Sequence, residues 1–398
     1  MTLSRSAILT AALSPALIAL ASCGTAGPVE SGDSAIPMVA ASNTGADAMQ
    51  MGPFSVTEHG TYNEPWAAAF EPGTGRLFIT EKVGTLKIMN PETGATGTVS
   101  GVPRVDYGGQ GGLGDIAFAP DYARSKMLYL SWAEAGTGDT RGAVVGRGKL
   151  TCSSDNSCAL TDMNVIWRQT PKVSGRGHYS HRIAFSPDGQ HLFIASGDRQ
   201  KMEPAQDRTN NLGSIVRLNL DGTPAAGNPF ADEPSPTNEI WSYGHRNILG
   251  VDFDASGRFW ETEHGPKGGD ELNVVKASAN YGWPVVSDGV HYDGDPIPDN
   301  STRPELAGSA LTWTPVIAPG DMTFIGGKMF RDWDGDLLLA GLKTKALIHV
   351  KTDGDSAREV ARYDFGERLR EVVEGPDGAI WVLEDGKNAR LLRLTPGR

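Results

Sequence analysis

The stretch FSPDGQHLFIASGD, Phe185 to Asp198, ends one apolar run, turns through Ser-Pro-Asp-Gly and opens a second run of Leu, Phe, Ile and Ala. Proline pre-sets one turn dihedral and Asp-Gly accepts the left-handed backbone of a tight reversal, so the stretch reads as a β-hairpin. The same grammar returns in FEPGTGRLFIT from Phe70, FAPDYARSKMLYLSW from Phe118 and FDASGRFWETEHG from Phe253. It returns in weaker form in FRDWDGDLLLAGL from Phe330 and EGPDGAIWVLED from Glu374, which makes six copies. A small sheet cannot hide both of its faces alone, so repeated small sheets stack and bury one another. The expected fold is therefore all-β, a six-bladed β-propeller. A pair of β-sandwiches would not need one hairpin six times over. In a propeller, loops far apart in sequence converge on one axial funnel.

Composition agrees with that reading. The 398 residues include 50 Gly and 25 Pro with only 21% charged residues, a balance that favours turn-rich β structure over helical bundles. A net charge of −12 predicts no nucleic-acid partner, because binding phosphates takes a basic surface. The first segment, MTLSRSAILTAALSPALIALASCG, has one basic residue, an apolar core and small residues before Cys23. It is too short and too Ala-rich for a membrane span and reads as an export signal. Its LASC, Leu20 to Cys23, resembles the lipobox at which a bacterial lipoprotein is cleaved and its Cys lipidated; ordinary cleavage with Cys23 incidental is the alternative. The expected organisation is a leader at 1–23, a flexible Gly/Ala/Ser/Asn tether at 24–55 and the propeller at 56–398, in the periplasm, with the membrane touched only through the lipid anchor. Cys152 and Cys158, five polar residues apart, suit a disulfide in such an oxidising compartment.

Polar clusters beside the hairpins supply the chemistry. GGQGGLGD (Gly108–Asp115), GRGHYSHR (Gly175–Arg182), SYGHRNILG (Ser242–Gly250), EHGPKGGDELN (Glu263–Asn273), GLKTK (Gly341–Lys345) and ERLREV (Glu367–Val372) offer histidines, cations and a Gly-Pro acidic loop. Together they suit an anionic cofactor, a hard cation and a proton acceptor. On the residues alone, His178 and His181 are equal candidates for the acceptor. Trp283 and Trp313 are expected to pack between sheets, His245 to orient a loop, and Asp115 to serve a turn.

EIWSYGHRN, ETEHGPKGGDELN and NYGWPVVSDGVHYDG, in that order, resemble the glucose/sorbosone dehydrogenase family and in particular its soluble aldose sugar dehydrogenases. That resemblance implies a six-bladed propeller that uses pyrroloquinoline quinone (PQQ) and Ca2+ to oxidise an aldose sugar at C1 to a lactone, passing electrons to an acceptor that the sequence does not identify. It implies that His178, four places before Arg182, is the general base, and that Arg246 and Asn247 flank the quinone. It adds Gln110, Lys343, Arg368 and Arg370 as cofactor-binding residues, the carbonyls of Gly265 and Pro266 for calcium, and Asp270, Glu271 and Tyr281 for a second calcium. The chain departs from the family pattern at four places: His181 stands where relatives usually carry Gly, Gly114-Asp115 replaces Leu-Gly, and Ile248 and Leu249 follow the Arg-Asn pair where Pro and Gln are common. Other readings are a calcium-dependent sugar lactonase and a non-catalytic sugar- or protein-binding propeller. A monomer or a homodimer fits equally.

Overall fold

Strand-forming runs separated by Gly-rich turns give antiparallel sheets. The structure, a computed structural model, describes residues 50–397; the expected leader with Cys23, and the tether up to residue 49, lie outside them. Among the described residues the helical content is one four-residue turn of α-helix at Tyr122–Ser125 and short 3-10 turns.

Six strands begin the sheets: Pro65–Phe70, Leu113–Phe118, Ser180–Phe185, Ile248–Phe253, Pro319–Phe324 and Leu369–Glu374. Each is followed by antiparallel partners running outward, for example His191–Ser196, Ser214–Asn219 and Ile240–Tyr243 after Ser180–Phe185. The sheets that start at Pro65 and Leu113 are joined edge to edge by a parallel pairing of Thr96–Ser100 with Ser157–Arg168. The sheet that starts at Leu369 is completed by the N-terminal strand Phe54–Tyr62, which pairs with Ala389–Pro396 and ties the two ends of the described chain together. Phe54, within the expected tether, is fully buried against Phe330, Trp333 and Tyr363, so ordered structure reaches into that segment. The fifth hairpin also differs from expectation. Its first strand ends at Phe324, and Phe330 lies in the longer connection, where it packs into the core.

The six starting strands neighbour one another in a closed cycle. Each is buried at its first residue, half-buried at its last two, and carries a register shift near its start. Such bulges bend a strand and re-aim its side chains. Side chains then lace neighbouring strands: Asp115 Oδ2 accepts Ile183 N–H (2.8 Å), Asp252 Oδ2 accepts Phe324 N–H (2.8 Å), Asp321 Oδ2 accepts Val372 N–H (3.3 Å) and Glu371 Oε1 accepts Ala68 N–H (3.0 Å). Asp115 is therefore a strand residue with a buried carboxylate, and not the turn residue expected from its Gly-Asp context.

One guanidinium reaches all of these strands. Arg182 donates from Nε to Leu249 O (2.5 Å) and from Nη2 to Gly320 O (2.7 Å) and Glu371 Oε2 (2.8 Å). It pairs with Asp321 (3.2 Å) and Asp115 (3.6 Å) and lies 4.3 Å from the centroid of the Trp66 ring. Burial pushes the carboxyls of Asp115, Asp321 and Glu371 up from their ordinary values against the pull of this cation.

Far from this centre, Cys152 and Cys158 face each other across the hairpin of Arg141–Ser154 and Ser157–Arg168 and are bonded, as expected. Trp313 packs in the core beside Trp260 and Met322, also as expected.

Removing the central cation would leave buried carboxylates without their counter-charge. Arg182→Met is expected to lower stability by about 3–5 kcal/mol at neutral pH. The deficit should narrow as pH falls and protonation removes the uncompensated charge. Thermal melts at pH 5 and pH 8 check both statements.

Candidate active site

Where the starting strands enter the ring, the loops before them surround a cavity of about 260 Å³. Lys82, Arg368 and Arg370 share its lining with Glu64 and Asp385, a net positive wall in a chain of charge −12. Such a cavity favours an anionic ligand. Arg368 precedes the strand Leu369–Glu374 and Arg370 lies within it, and their shared partner Asp385 sets both on the same side. Arg368 Nε donates to Asp385 Oδ2 (2.9 Å), and Arg370 donates from Nε (3.0 Å) and Nη2 (2.9 Å) to Asp385 Oδ1. Lys343 is exposed in the turn after Leu337–Gly341 and does not line the cavity, although its neighbour Leu342 does.

The loop before Ser180–Phe185 is held in an unusual conformation. His178, Ser180 and His181 have φ of 49°, 62° and 77°, a left-handed backbone that side chains disfavour. Buried Arg199 fixes the approach by donating to Gly177 O (2.8 Å) and Gly175 O (2.6 Å), while Gln110 Oε1 accepts His178 N–H at 2.6 Å. Within this frame His178 Nδ1 lies 2.7 Å from Asp198 Oδ1. Asp198 Oδ2 accepts the indole N–H of Trp283 (2.8 Å), and Oδ1 accepts Gln200 N–H (2.8 Å). Burial would raise the Asp198 carboxyl, but its hydrogen bonds, led by His178, bring it below its ordinary value, so it stays ionised. An ionised carboxylate at Nδ1 keeps the ring proton there and leaves Nε2 with its lone pair. Burial lowers the His178 pKa, Asp198 opposes that, and Arg246 adds to the lowering. The imidazole is thus neutral at neutral pH, as a proton acceptor must be. His178 is not itself part of the cavity lining, whereas Tyr179, Ser180, His181 and its partner Gln110 are.

Arg246 and Asn247 lie between Ile240–Tyr243 and Ile248–Phe253, held by Glu263, whose Oε2 accepts both backbone N–H groups. Glu263 Oε1 lies 3.1 Å from His245 Nδ1. Burial would lower His245, but Glu261 and Glu263 beside it push it up to about 9, so it is a loop-orienting cation. Arg246 Nη1 donates to His264 O (3.0 Å) and its guanidinium lies 5.1 Å from the Trp283 ring centroid. Trp283 therefore braces Asp198 and Arg246 together, and does not pack between sheets as expected. Three buried polar atoms here have no partner: Arg246 Nε and both side-chain polar atoms of Asn247. Orphans of this kind mark a place where a ligand completes the bonding. Asn247 lines the large cavity, Arg246 a smaller one of about 20 Å³, and His264 borders both.

The Gly-Pro loop is pinned at two points. Asp270 accepts Gly265 N–H with Oδ1 (2.9 Å) and Ala318 N–H with Oδ2 (2.6 Å). A Cβ at Gly265 would fall 2.2 Å from the carbonyl oxygens of Gly268 and Gly269, which restricts the position to glycine. Among the described residues, neither the Gly265 nor the Pro266 carbonyl accepts a hydrogen bond, although both residues are buried. Glu271 and Tyr281 both border the smaller cavity, whereas Asp270 does not. Glu271 binds Asn300 (2.8 Å) and Asn273 (3.1 Å), and the Tyr281 hydroxyl donates to Val274 O (2.7 Å) and accepts Lys276 N–H (2.9 Å). Adjacent strand residues point to opposite faces, which separates Asp270 from Glu271. Among the described residues, the His, Cys, Asp and Glu side chains with mutually close ligating atoms are His245, Glu261 and Glu263, within 4.8 Å of one another. Sequence reading missed Asp198, Arg199 and Glu263 and gave Trp283 only a packing role; the Gly-Asp that ends FIASGD was the one available signal for the first.

The family model described as glucose/sorbosone dehydrogenase matches residues 62–393. Aldose sugar dehydrogenase YliI of Escherichia coli (strain K12) is 38% identical over 340 residues, covering 84% of this chain and 90% of that protein. The crystal structure of the soluble aldose sugar dehydrogenase from Escherichia coli in its apo form is similar at TM-score 0.82 and 36% identity, over 86% of this chain and 100% of that one. The PQQ-bound form of aldose sugar dehydrogenase from Streptomyces coelicolor is similar at TM-score 0.70 and 27% identity, over 87% and 99% of the two chains. By its sequence and its backbone alike, the chain belongs to the glucose/sorbosone dehydrogenase family.

Proposed function

We propose that this protein is a PQQ-dependent aldose sugar dehydrogenase built on a six-bladed β-propeller, oxidising an aldose at C1 to the lactone with calcium assistance. The observation that carries the reading is the Asp198–His178 pair beside a cation-lined cavity bordered by Asn247, whose side-chain polar atoms are unpartnered, with Arg246 and its unpartnered Nε on the smaller cavity next to it. These groups suit a planar polycarboxylate quinone. The cyclic contacts of the starting strands and the kinship with aldose sugar dehydrogenases support the blade count and the sugar.

When bound, the quinone supplies a two-electron acceptor for the hydride leaving sugar C1. The chain does the rest. His178 Nε2 takes the C1 hydroxyl proton, and Asp198 stabilises the imidazolium that forms. Arg246 places positive charge where negative charge develops, and Asn247 completes its hydrogen bonds with the cofactor. Arg368, Arg370 and Gln110 would hold the cofactor's rim. Lys343 would need to swing inward to join them. The Gly265 and Pro266 carbonyls, buried and without donors, suit a hard cation such as Ca2+. Export with a lipid anchor at Cys23 is the proposed location, consistent with the Cys152–Cys158 disulfide.

Full-length protein loaded with PQQ and Ca2+ is expected to reduce an artificial dye with aldoses and to leave lactones untouched. Lactone hydrolysis without dye reduction would replace this reading with a hydrolase. His178→Ala should lower kcat by about 10²–10⁴-fold. Because His178 must be neutral and its pKa is lowered, kcat/KM should fall only as pH drops through an inflection below the ordinary 6.5 and stay flat above it. Asp198→Asn should lower kcat roughly 10²-fold by misplacing the imidazole, with PQQ affinity preserved in a fluorescence titration.

A further inference from the structure

Three observations meet at His181. Its imidazole lies in the cavity wall, 2% exposed, with no hydrogen-bond partner for either ring nitrogen. It is stacked on Tyr179 (centroids 5.2 Å, 18°) and meets Trp66 edge-on (5.6 Å, 83°), so its ring plane is fixed. Burial, with Arg199, Arg182 and Lys82 around it, lowers its pKa to about 3, and the ring is neutral with one N–H donor and one acceptor.

The second observation is the backbone. At φ 77° the position favours glycine, and a larger residue costs strain of order 1 kcal/mol. The third is the space the ring occupies. A Cβ on Gly114 would fall 2.7 Å from Ser131 Oγ, 2.8 Å from His181 Cγ and 2.9 Å from its Cβ, so a side chain at residue 114 would crowd the imidazole as well as Ser131. The two departures from the family pattern, Leu to Gly at 114 and Gly to His at 181, thus meet in space across two neighbouring strands. His181 sets a polar ring in the cavity wall, at a backbone cost.

We propose that His181 is a binding residue, a neutral imidazole that hydrogen-bonds the occupant of the axial cavity and is accommodated by Gly114. The proposal rests on the reading of that occupant as PQQ. Its ring N–H would donate to a carboxylate or carbonyl oxygen, and its aromatic neighbours set the direction of that bond. The role is binding, distinct from the proton transfer assigned to His178.

The test is PQQ uptake by apo-protein in Ca2+, followed by quenching of intrinsic fluorescence, so that no turnover is needed. His181→Gly relieves the strained backbone and His181→Phe keeps a ring without nitrogens. Both are expected to fold and to bind PQQ roughly 10- to 100-fold more weakly than the parent chain. His181→Asn, which tolerates the left-handed backbone and keeps an N–H donor, should recover part of that loss. Gly114→Leu alone should lower the melting temperature, and pairing it with His181→Gly should restore part of the loss, the remainder being the contact with Ser131 Oγ. Parent protein that takes up no PQQ overturns the proposed cofactor itself. Parent protein that binds PQQ while both His181 variants bind it equally well overturns the contact alone, and a Gly114→Leu variant that His181→Gly does not rescue at all overturns the accommodation by Gly114.

Discussion

A single buried cation contacts every inner strand of this fold. Arg182 lies on one starting strand and touches the other five through two carbonyl oxygens, three carboxylates and one indole face. Each contact alone is ordinary. Together they fix the spacing of the ring at its axis, because any strand that slides leaves a buried charge or carbonyl unpaired. The guanidinium also divides the axis. The cation-lined cavity lies toward the strand starts, and a second cavity of about 170 Å³, bordered by Arg182, Asp115, Asp321 and Glu371, lies beyond it. The site is therefore a funnel closed at its base, which helps keep water from a reaction at its floor.

That rigidity permits the strain beside it. Three side-chain-bearing residues in the left-handed region precede Arg182 within five positions, and the loop's preferred relaxation is blocked on both sides. Arg199 holds the carbonyls of Gly175 and Gly177, and Arg182 holds the strand that follows. His178 and His181 are placed by this tension between two buried arginines. Glu263 does the same work for the Arg246–Asn247 pair, accepting both backbone N–H groups while balancing His245. In each case a buried charge positions a neighbour, and the cavity-facing groups stay free for a ligand.

Much of this was legible in the sequence, for identifiable reasons. A hairpin is a local event, so Pro-Asp-Gly punctuation located five of the six turns; the fifth copy was misplaced because Phe330 sits in a long connection that imitates a strand end. The disulfide and the shared side of Arg368 and Arg370 follow from short-range geometry and were also readable. Partnerships across the ring were not. Trp283 meets Asp198 from 85 residues away and Arg182 meets Glu371 from 189, and no periodicity announces either. Asp115 follows glycines and so looked like a turn residue, although the bulge turns its carboxylate onto the axis. Asp270 and Glu271 were joint ligands only by the resemblance to the family, yet adjacency in a strand sends their side chains apart.

The departures from the family pattern gain meaning when taken in pairs. Ile248 stands where relatives often carry Pro, and it restores a backbone N–H that proline lacks; Ser180 Oγ accepts it at 3.0 Å. That bond joins the strained loop to the next starting strand. Leu249, where Gln is common, keeps its structural part because its carbonyl, and not its side chain, accepts the Arg182 Nε–H. Its side chain nevertheless removes a polar group from the cavity wall, while His181 adds one to the same wall. The hub thus holds Leu249 through its carbonyl alone and leaves that side chain free to vary, so polar contacts can move around the cavity without disturbing the ring that supports it. Differences in ligand preference within such a fold should accordingly arise at cavity-wall positions such as 181 and 249, whose side chains take no part in the contacts of the axial arginine.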